Sequence, residues 1–312
     1  MIIALEEHYL DPELAALLEA EFPVPAALAK TLEDVGEGRI AAMDEAGIDV
    51  QILSHCPPGM ESFSADRALG ISRRLNDRLK SIVETHPTRF AAFAALPTAA
   101  PEDAADELER CVEKLGFKGA LLNGLTQGQF LDDKRFWPIF ERAEALGVPL
   151  YLHPSFPHRA VVDAYYRDYA TSHPMFQWAA WGFTVEVGTQ SIRLVLSGVF
   201  DAYPNLQFIT GHMGETVPHL LYRIDETLAR GAPDLHFREV YSSHFHVTTS
   251  AFFSDAALRM VIDELGIDRV MFSVDYPFAS NLEGADWVRK VPLSDTDRRK
   301  IQSENARKLL RI

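Results

Sequence analysis

Residues 147–154 read Gly-Val-Pro-Leu-Tyr-Leu-His-Pro: a glycine, a short apolar run and then a histidine. Gly147 follows an amphipathic stretch, as a glycine that ends a helix does. The run 148–152 has the length of a buried strand, and His153 stands directly at its end. A helix that gives way to a buried strand is the repeating unit of a parallel sheet, so we expect the same pattern elsewhere in the chain.

Short β-rich runs and amphipathic helical segments alternate along all 312 residues. The predicted strands are 2–5, 49–53, 90–95, 119–122, 148–152, 206–210, 244–248 and 269–274. The predicted helices include 65–86, 102–115, 134–146, 215–230 and 255–265, and Gly47, Gly116, Gly147 and Gly266 mark helix ends. Eight strands with helices between them predict a (β/α)8 TIM barrel that forms one domain over 1–312. A doubly wound open sheet is the alternative.

An aromatic-rich segment, 155–190, interrupts this alternation after the fifth strand. We predict that it is a helical insertion at the top of the barrel. There it would cover a pocket or form a subunit interface. A pair of ordinary amphipathic helices packed on the barrel is an equally open interpretation.

Composition and charge exclude several classes of protein. The formal net charge is −15, which argues against a nucleic-acid partner because such proteins present a basic surface. No apolar stretch approaches the roughly 18 residues that span a bilayer. Cys56 and Cys111 form no CxxC pair, so we expect no disulfide framework. Together with an N-terminus that lacks a basic leader, these features predict a cytoplasmic protein without a membrane partner.

Polar residues stand at or just beyond the ends of four apolar runs. Glu6 and His8 follow the first run, His153 the fifth, His212 the sixth and Asp275 the last. Each could be a solvated strand end, a core histidine or a turn residue. In a barrel, however, they would all lie at the carboxyl ends of the strands, where barrel enzymes carry their chemistry. Their joint occurrence therefore predicts one active site.

Glu6, His8, His153 and Asp275 form a candidate metal-ligand set. Residues i and i+2 of a strand point to the same face, so Glu6 and His8 can share an ion that Glu7 cannot easily reach. Two carboxylates and two imidazoles suit Mn²⁺ or Zn²⁺, and we expect one divalent ion per subunit. Open coordination positions would be free for a chelating substrate or water.

His212 lies in the motif Gly211-His212-Met213-Gly214-Glu215. Glu215 is three residues further on, so at a helix start it can reach back to the imidazole. A carboxylate behind a histidine fixes its tautomer and raises its basicity. We therefore predict that His212 and Glu215 form an acid/base pair; a turn with a capping glutamate is the alternative.

Several of these motifs together resemble the amidohydrolase-2 group, the branch that contains aminocarboxymuconate-semialdehyde decarboxylase. The resemblance is closest to the γ-resorcylate and 2,3-dihydroxybenzoate decarboxylases and covers almost the whole chain. The motifs that carry it are Ala4-Leu5-Glu6-Glu7-His8, Lys118-Gly119-Ala120-Leu121-Leu122-Asn123-Gly124, Leu152-His153-Pro154, Gly211-His212-Met213-Gly214-Glu215, Tyr222-Arg223-Ile224-Asp225, Phe272-Ser273-Val274-Asp275-Tyr276-Pro277-Phe278 and Glu304-Asn305-Ala306-Arg307-Lys308-Leu309. Most of the superfamily begins with His-x-His, whereas the benzoate decarboxylases, like this chain, have Glu-x-His.

The resemblance implies a metal-dependent, nonoxidative decarboxylase of an ortho-hydroxy aromatic carboxylic acid. It implies that Glu6, His8, His153 and Asp275 bind the metal and that His212 is catalytic. It also implies that Asn123 and Arg223 contact the substrate, the arginine from a neighbouring subunit of a homodimer or homotetramer. As a mechanism, we expect His212 and Glu215 to handle the hydroxyl proton and Asp275 to protonate the ring carbon.

Two stretches depart from the family pattern. The family's His-Pro-Arg-Asn-Pro is His153-Pro154-Ser155-Phe156-Pro157 here, and its Ser-Pro-Gly-x-Gln loop reads Cys56-Pro57-Pro58-Gly59-Met60-Glu61. Both changes touch the pocket rather than the metal ligands. A metal-dependent hydrolase of a lactone or related carbonyl compound is the alternative activity, and a non-catalytic binding protein on a barrel frame is a third possibility.

Overall fold

The structure is a computed structural model that describes residues 1–18, 20 and 22–312. Parallel strands lie at all eight positions predicted from the sequence. They are β1 Ile3–Tyr9, β2 Val50–His55, β3 in two pieces (Phe90–Ala92 and Ala94–Ala95), β4 Ala120–Asn123, β5 Leu150–His153, β6 Phe208–Thr210, β7 Phe245–Thr248 and β8 Val270–Met271. Each strand pairs with the next in chain order, the two pieces of β3 serving as one position.

Backbone hydrogen bonds join the two ends of this series. The amide of His8 donates to the carbonyl of Tyr276 over 2.8 Å, and the amide of Asp275 donates to the carbonyl of Glu6 over 3.0 Å. These bonds connect β1 to the chain that follows β8. The series is therefore a ring, which is the predicted barrel and not the open sheet.

The inside of the ring is filled by alternate side chains of the strands, because successive strand residues point to opposite faces. This interior cluster comprises Ile3, Leu5, Ile52, Phe93, Leu121, Tyr151, Ile209 and Met271. Ala306 and Leu310 of the last helix pack against it. A larger apolar cluster lies between the strands and the surrounding helices. The site is thus built on strands that are packed on both faces.

Helices occupy the connections between the strands. They are α1 Pro12–Leu18, α2 Ala26–Glu33, α3 Glu37–Ala46, α4 Ala65–Thr85, α5 Pro101–Glu113, α6 Trp137–Leu146, α7 Arg159–Val161, α8 Gly182–Leu196, α9 Val199–Ala202, α10 His212–Glu215, α11 Val217–Ala229, α12 Phe237–His244, α13 Asp255–Leu265, α14 Asn281–Lys290, α15 Asp295–Arg299 and α16 Asn305–Leu310. Gly47 and Gly147 adopt left-handed conformations at the ends of α3 and α6, as predicted. In the described part of the chain, no helix is both long and apolar enough to span a membrane.

The first and last strands differ from their predicted bounds. β1 continues beyond Leu5 to Tyr9, because its polar residues still pair with β2 and with the chain after β8. Glu6 and His8 therefore lie within the strand rather than after it. β8 ends at Met271, and 272–274 continue in irregular backbone towards Asp275.

The aromatic-rich insertion consists of short helical turns between Arg159 and Phe176, followed by the regular helix α8. Phe156, at its start, stacks on Phe22 with ring centroids 4.7 Å apart, and its ring also meets Trp178 edge-on. Phe22 belongs to the connection after β1. The insertion therefore packs against another loop at the carboxyl end of the barrel, the same end that carries the predicted site residues.

Candidate active site

Four of the predicted side chains converge at the carboxyl end of the barrel. One ligand atom from each of Glu6, His8, His153 and Asp275 lies within 4.8 Å of all the others. The Nε2 of His8 is 3.2 Å from Oδ1 of Asp275, and the Nε2 of His153 is 3.2 Å from Oε1 of Glu6. The i, i+2 spacing of Glu6 and His8 does bring them to one face of β1.

This cluster can hold a single divalent metal ion. Glu6 Oε1 and His8 Nε2 are buried and have no hydrogen-bond partner among the described residues, so both are free to act as ligands. Burial lowers the pKa of His8, but the carboxylates of Asp275 and Glu6 outweigh it and raise that pKa to about 9. The field that would hold a proton there would equally hold a metal cation. Mixed nitrogen and oxygen donors suit Mn²⁺ or Zn²⁺.

The second carboxylate oxygen of Glu6 faces away from the cluster, into a group of hydroxyls. Oε2 accepts hydrogen bonds from the Tyr151 hydroxyl and from Ser250 Oγ, the latter over 2.6 Å. Thr248 Oγ1 lies 2.7 Å from the Tyr151 oxygen and 2.8 Å from Ser250 Oγ. These bonds leave Oε1 as the one oxygen of Glu6 that faces the other three ligands.

Gly211 makes room for Glu6. A Cβ at position 211 would come within 2.5 Å of Glu6 Oε2, so the carboxylate or the backbone would have to shift to accommodate a side chain. Its φ of −73° is ordinary, so the glycine serves close approach and not the turn itself. Gly214, by contrast, adopts a φ of +82° inside the turn that follows.

Glu7 points to the other side of β1, as its place in the strand predicts, and binds the segment that carries Asp275. Its carboxylate accepts hydrogen bonds from the backbone amide of Val274 over 2.9 Å and from Ser273 Oγ over 3.1 Å. Burial raises the pKa of Glu7 to about 8 against the lowering effect of these bonds. The buried guanidinium of Arg39 donates to the carbonyl of His8 on the same side.

His212 and Glu215 meet as predicted, in a turn of unusual backbone. The Nδ1 of His212 is 2.6 Å from Oε1 of Glu215, whose other oxygen accepts a hydrogen bond from Thr184 Oγ1 over 2.8 Å. His212, Met213, Glu215 and Thr216 all have positive φ, so α10 is a distorted turn rather than a helix. Non-glycine residues in this region are strained, and such strain concentrates at functional sites.

The remaining face of His212 points towards the four-residue cluster. Its Nε2 is 3.8 Å from Oε1 of Glu6 and 3.7 Å from Oδ2 of Asp275. Burial lowers the pKa of His212, but the charges of Glu215 and Glu6 raise it well above its ordinary value. The imidazole thus lies beside the ligands, held from behind by a carboxylate.

The two predicted substrate contacts lie in different surroundings. Asn123 ends β4 and pairs in register with His153; its backbone amide donates to Glu61 Oε1 over 2.7 Å. Arg223 lies on α11 with an exposed side chain, turned to the surface of the chain and outside the cluster.

Sequence reasoning missed the residues that position the site. Tyr151, Thr248 and Ser250 around Glu6 were not predicted, and neither was Thr184 behind Glu215. Tyr151 had a usable signal, since it precedes His153 by two residues and must share its face of β5. Thr184 and Ser250 are distant in sequence from the groups they contact, so only the tertiary structure identifies them.

A family model described as amidohydrolase matches residues 16–312. A γ-resorcylate decarboxylase from a Polaromonas species is 38% identical, in an alignment that covers 99% of this chain and 98% of that protein. A decarboxylase of Emericella nidulans, orsB, is 34% identical over 100% of this chain and 97% of its own length.

Solved structures agree with these relatives. A 2,6-dihydroxybenzoate decarboxylase complexed with 2,6-dihydroxybenzoate superposes with a TM-score of 0.91 at 37% identity, covering 100% of this chain and 99% of the other. A dihydroxybenzoic acid decarboxylase from Polaromonas sp., with bound manganese and the inhibitor 2-nitroresorcinol, gives a TM-score of 0.91 at 38% identity, covering 99% and 96%. On fold, ligand cluster and sequence, the chain belongs to the amidohydrolase family.

Proposed function

We propose that this protein is a metal-dependent, nonoxidative decarboxylase of ortho-hydroxy aromatic carboxylic acids. The observation that carries the proposal is the Glu6, His8, His153 and Asp275 cluster with His212 and Glu215 beside it. The relatives at 34–38% identity over nearly the full length are named decarboxylases, which favours this activity over the hydrolase alternative.

Loss of CO2 from an aromatic acid needs a place for the electrons of the broken C–C bond. An ortho hydroxyl supplies it if the ring carbon that bears the carboxylate is protonated first. The hydroxyl then gives up its proton, and the ring becomes a ketone that can accept the electron pair when CO2 leaves. After CO2 has left, the ketone oxygen takes a proton again, and the ring is once more an aromatic phenol. The net change at the ring carbon is the replacement of CO2 by a proton.

His212 and Asp275 carry out the two proton transfers. His212, with Glu215 behind Nδ1, takes the hydroxyl proton at Nε2 and returns it later. Asp275, whose Oδ2 is 3.7 Å from that nitrogen, delivers the proton to the ring carbon. A divalent ion, Mn²⁺ or Zn²⁺, held by Glu6, His8, His153 and Asp275 would supply positive charge that stabilises the anionic substrate. Asn123, beside His153, contacts the substrate at the pocket wall.

Arg223 is proposed to serve the site of a second subunit. Its side chain is exposed on α11, and the side chains of Leu220 and Tyr222 on the same helix are also exposed. An arginine among exposed apolar groups suits an interface with a second copy of this chain, in a homodimer or homotetramer. We also infer that residues 1–312 form one domain; a cytoplasmic location stays a prediction.

The activity is tested by metal analysis together with a decarboxylation screen. The purified protein, loaded with Mn²⁺ or Zn²⁺, is given salicylate, 2,3-dihydroxybenzoate and 2,6-dihydroxybenzoate, and CO2 release is measured. We expect one metal ion per chain and CO2 from at least one acid. Failure on every ortho-hydroxy acid with metal bound would reject the proposal; acid release from a lactone would then support the hydrolase.

Subunit complementation tests the role of Arg223. Arg223→Ala and Asp275→Asn are each expected to be nearly inactive. Co-expressed in one oligomer, they form some sites that combine an intact Asp275 with an intact Arg223 from the neighbour, so activity returns to about a quarter of normal for random pairing. Activity no greater than that of the single variants would show that Arg223 does not act across an interface.

A further inference from the structure

Three buried polar side chains lie on the side of β1 that faces away from the metal-ligand cluster. They are Glu7 of β1, Gln51 of β2 and Arg39 of α3. Gln51 Nε2 donates to Glu7 Oε2 over 3.2 Å, and Arg39 Nη1 donates to Gln51 Oε1 over 3.4 Å. These hydrogen bonds join the three side chains into one unit, which we call the outer network.

One end of the outer network holds the backbone on both sides of Asp275. Glu7 Oε1 accepts a hydrogen bond from the Val274 amide over 2.9 Å, and Glu7 Oε2 accepts one from the Tyr276 amide over 3.3 Å. Asp275 itself has a φ of +71°, a conformation that residues other than glycine keep only when their surroundings impose it. The two bonds to Glu7 therefore fix this strained residue from either side.

The other end of the outer network holds His8. The guanidinium of Arg39 donates to the carbonyl of His8, and it lies 4.9 Å from the centroid of the Tyr276 ring. The amide of His8 donates to the carbonyl of Tyr276 over 2.8 Å. The backbone of His8 is thus held at both its amide and its carbonyl, on the side of β1 opposite to its imidazole.

The carboxyl group of Glu7 serves these contacts as an acceptor only. Its two oxygens receive four hydrogen bonds, whose donors belong to Gln51, Ser273, Val274 and Tyr276. A glutamine side chain offers one acceptor oxygen and one NH₂ donor, so in place of Glu7 it would turn N–H groups towards other donors. The residue types of the outer network therefore depend on one another.

We propose that Glu7, Gln51 and Arg39 are positioning residues for the metal site, which hold Asp275 and His8 in place without touching the ion. The inference goes beyond the proposed reaction and depends only on the metal site. An ion binds more tightly to ligands that are already in place than to ligands that it must first order. The outer network should therefore raise the affinity for the metal.

Glu7→Gln tests the inference through metal affinity, which requires no substrate. Mn²⁺ is titrated against a chelator, and the stability of the metal-free protein is measured in parallel by denaturant unfolding. We expect Glu7→Gln to bind Mn²⁺ about tenfold more weakly, the lower end of what outer partners of metal ligands typically contribute. Wild-type affinity in Glu7→Gln, at whatever stability, would overturn the inference.

Glu107→Gln is the matched control. Glu107 is likewise fully buried, and its Oε1 accepts hydrogen bonds from Asn76 and Arg110, each over 2.8 Å, but it joins α5 to α4 and lies outside the cluster. We expect lower stability and unchanged Mn²⁺ affinity. A loss of affinity equal to that of Glu7→Gln would mean that affinity follows stability in general, and would overturn the inference.

An exchange of residues separates positioning from stability. Gln51→Glu alone sets two carboxyl groups against each other, so Mn²⁺ affinity should fall here as well. Combined with Glu7→Gln, it restores one donor and one acceptor between the two positions, and Arg39 still has its acceptor. Asn281 Oδ1 accepts from Gln51, and its Nδ2 has no partner among the described residues, so its amide can turn to donate instead.

We expect the double variant to bind Mn²⁺ within about threefold of the wild type, because only the long bond from the Tyr276 amide stays unmade. A double variant that loses as much affinity as the two single variants together would overturn the inference. Gln51→Met provides a further test should Glu7→Gln not fold: it removes one donor to Glu7, so affinity should fall about threefold. Unchanged affinity there would again contradict the inference.

CO2 release from the wild type is measured separately. Metal binding that depends on Glu7 without any decarboxylation would reject the proposed reaction and leave the role of the outer network standing. Decarboxylation together with wild-type Mn²⁺ affinity in Glu7→Gln would do the opposite.

Discussion

The Nδ1 of His212 lies 2.6 Å from Oε1 of Glu215, and this contact closes a turn in which both residues have positive φ. The strained backbone points the imidazole at the metal-ligand cluster, and the carboxylate fixes which ring nitrogen faces it. Thr184 holds the other oxygen of Glu215 from α8. The pair is thus positioned by contacts that span two elements of the barrel.

Replacing Glu215 by glutamine should lower the pKa of His212, because the negative charge that raises it is removed. We expect kcat to fall at least tenfold and the limb of the pH–rate profile that reports His212 to move to lower pH. Thr184→Val removes one hydrogen bond and no charge, so its effect should be smaller and its pH profile unshifted. Identical pH profiles for wild type and Glu215→Gln would contradict the role of this pair.

Tyr151→Phe should weaken metal binding. The tyrosine hydroxyl donates to Glu6 Oε2, and without it the carboxylate is free to rotate away from the geometry that presents Oε1. Loss of such an outer partner typically costs about 10- to 100-fold in metal affinity. The measurement is a competition titration of Mn²⁺ against a chelator, which requires no substrate.

Tyr241→Phe is the control for that experiment. Tyr241 is also fully buried, but its hydroxyl has no hydrogen-bond partner among the described residues, and it lies on α12 outside the barrel. It should bind Mn²⁺ as the wild type does. Equal Mn²⁺ affinities for the wild type and both variants would show that the Tyr151 hydroxyl bonded to Glu6 does not contribute to metal binding.

Gly211→Ala should disturb the ligand cluster directly. The new methyl group would come within 2.5 Å of Glu6 Oε2, so the carboxylate or the strand must move. We expect metal content after dialysis to drop well below one ion per chain, with kcat reduced in proportion. Gly231→Ala, where the nearest atom to a new Cβ is 3.9 Å away, serves as the control. Full metal retention in Gly211→Ala would mean that the site adapts to the methyl group.

His246 should make the fold less stable in acid. Its ring lies inside the barrel, where burial first and then the charges of Arg269 and Lys308 lower its pKa to about 3. The folded protein keeps this histidine neutral, whereas the unfolded chain protonates it below its ordinary value of about 6.5. The stabilising contribution is therefore present above that pH and is lost as the pH falls towards 3.

The loss from one such group approaches about 1.4 kcal/mol per pH unit in that window. Denaturant unfolding of metal-free protein at pH 7, 6 and 5 measures it. His246→Gln should show a shallower decline of the free energy of unfolding, and His173→Gln, at an exposed position, the wild-type decline. Parallel declines for His246→Gln and wild type would rule out His246 as the source.

The sequence alone predicted the frame of this protein. Apolar runs of strand length that alternate with amphipathic helices contain the information for a barrel, since both periodicities are local. Cys56 and Cys111 are indeed buried and unpaired. The polar residues at the ends of the runs were enough to nominate the metal cluster and the His212–Glu215 pair, because parallel strands bring their carboxyl ends together wherever the barrel closes.

The sequence could not predict which groups hold those residues in place. Tyr151, Thr248 and Ser250 reach Glu6 across the barrel, and Glu7 accepts a hydrogen bond from the Val274 amide, 267 residues further along the chain. Such contacts depend on how strands and helices pack in three dimensions, and no local pattern encodes them. The residue types of the site follow from spacing along the strands, whereas their orientation and their unsatisfied acceptors are decided by the closed barrel, because only closure brings distant side chains within hydrogen-bonding distance.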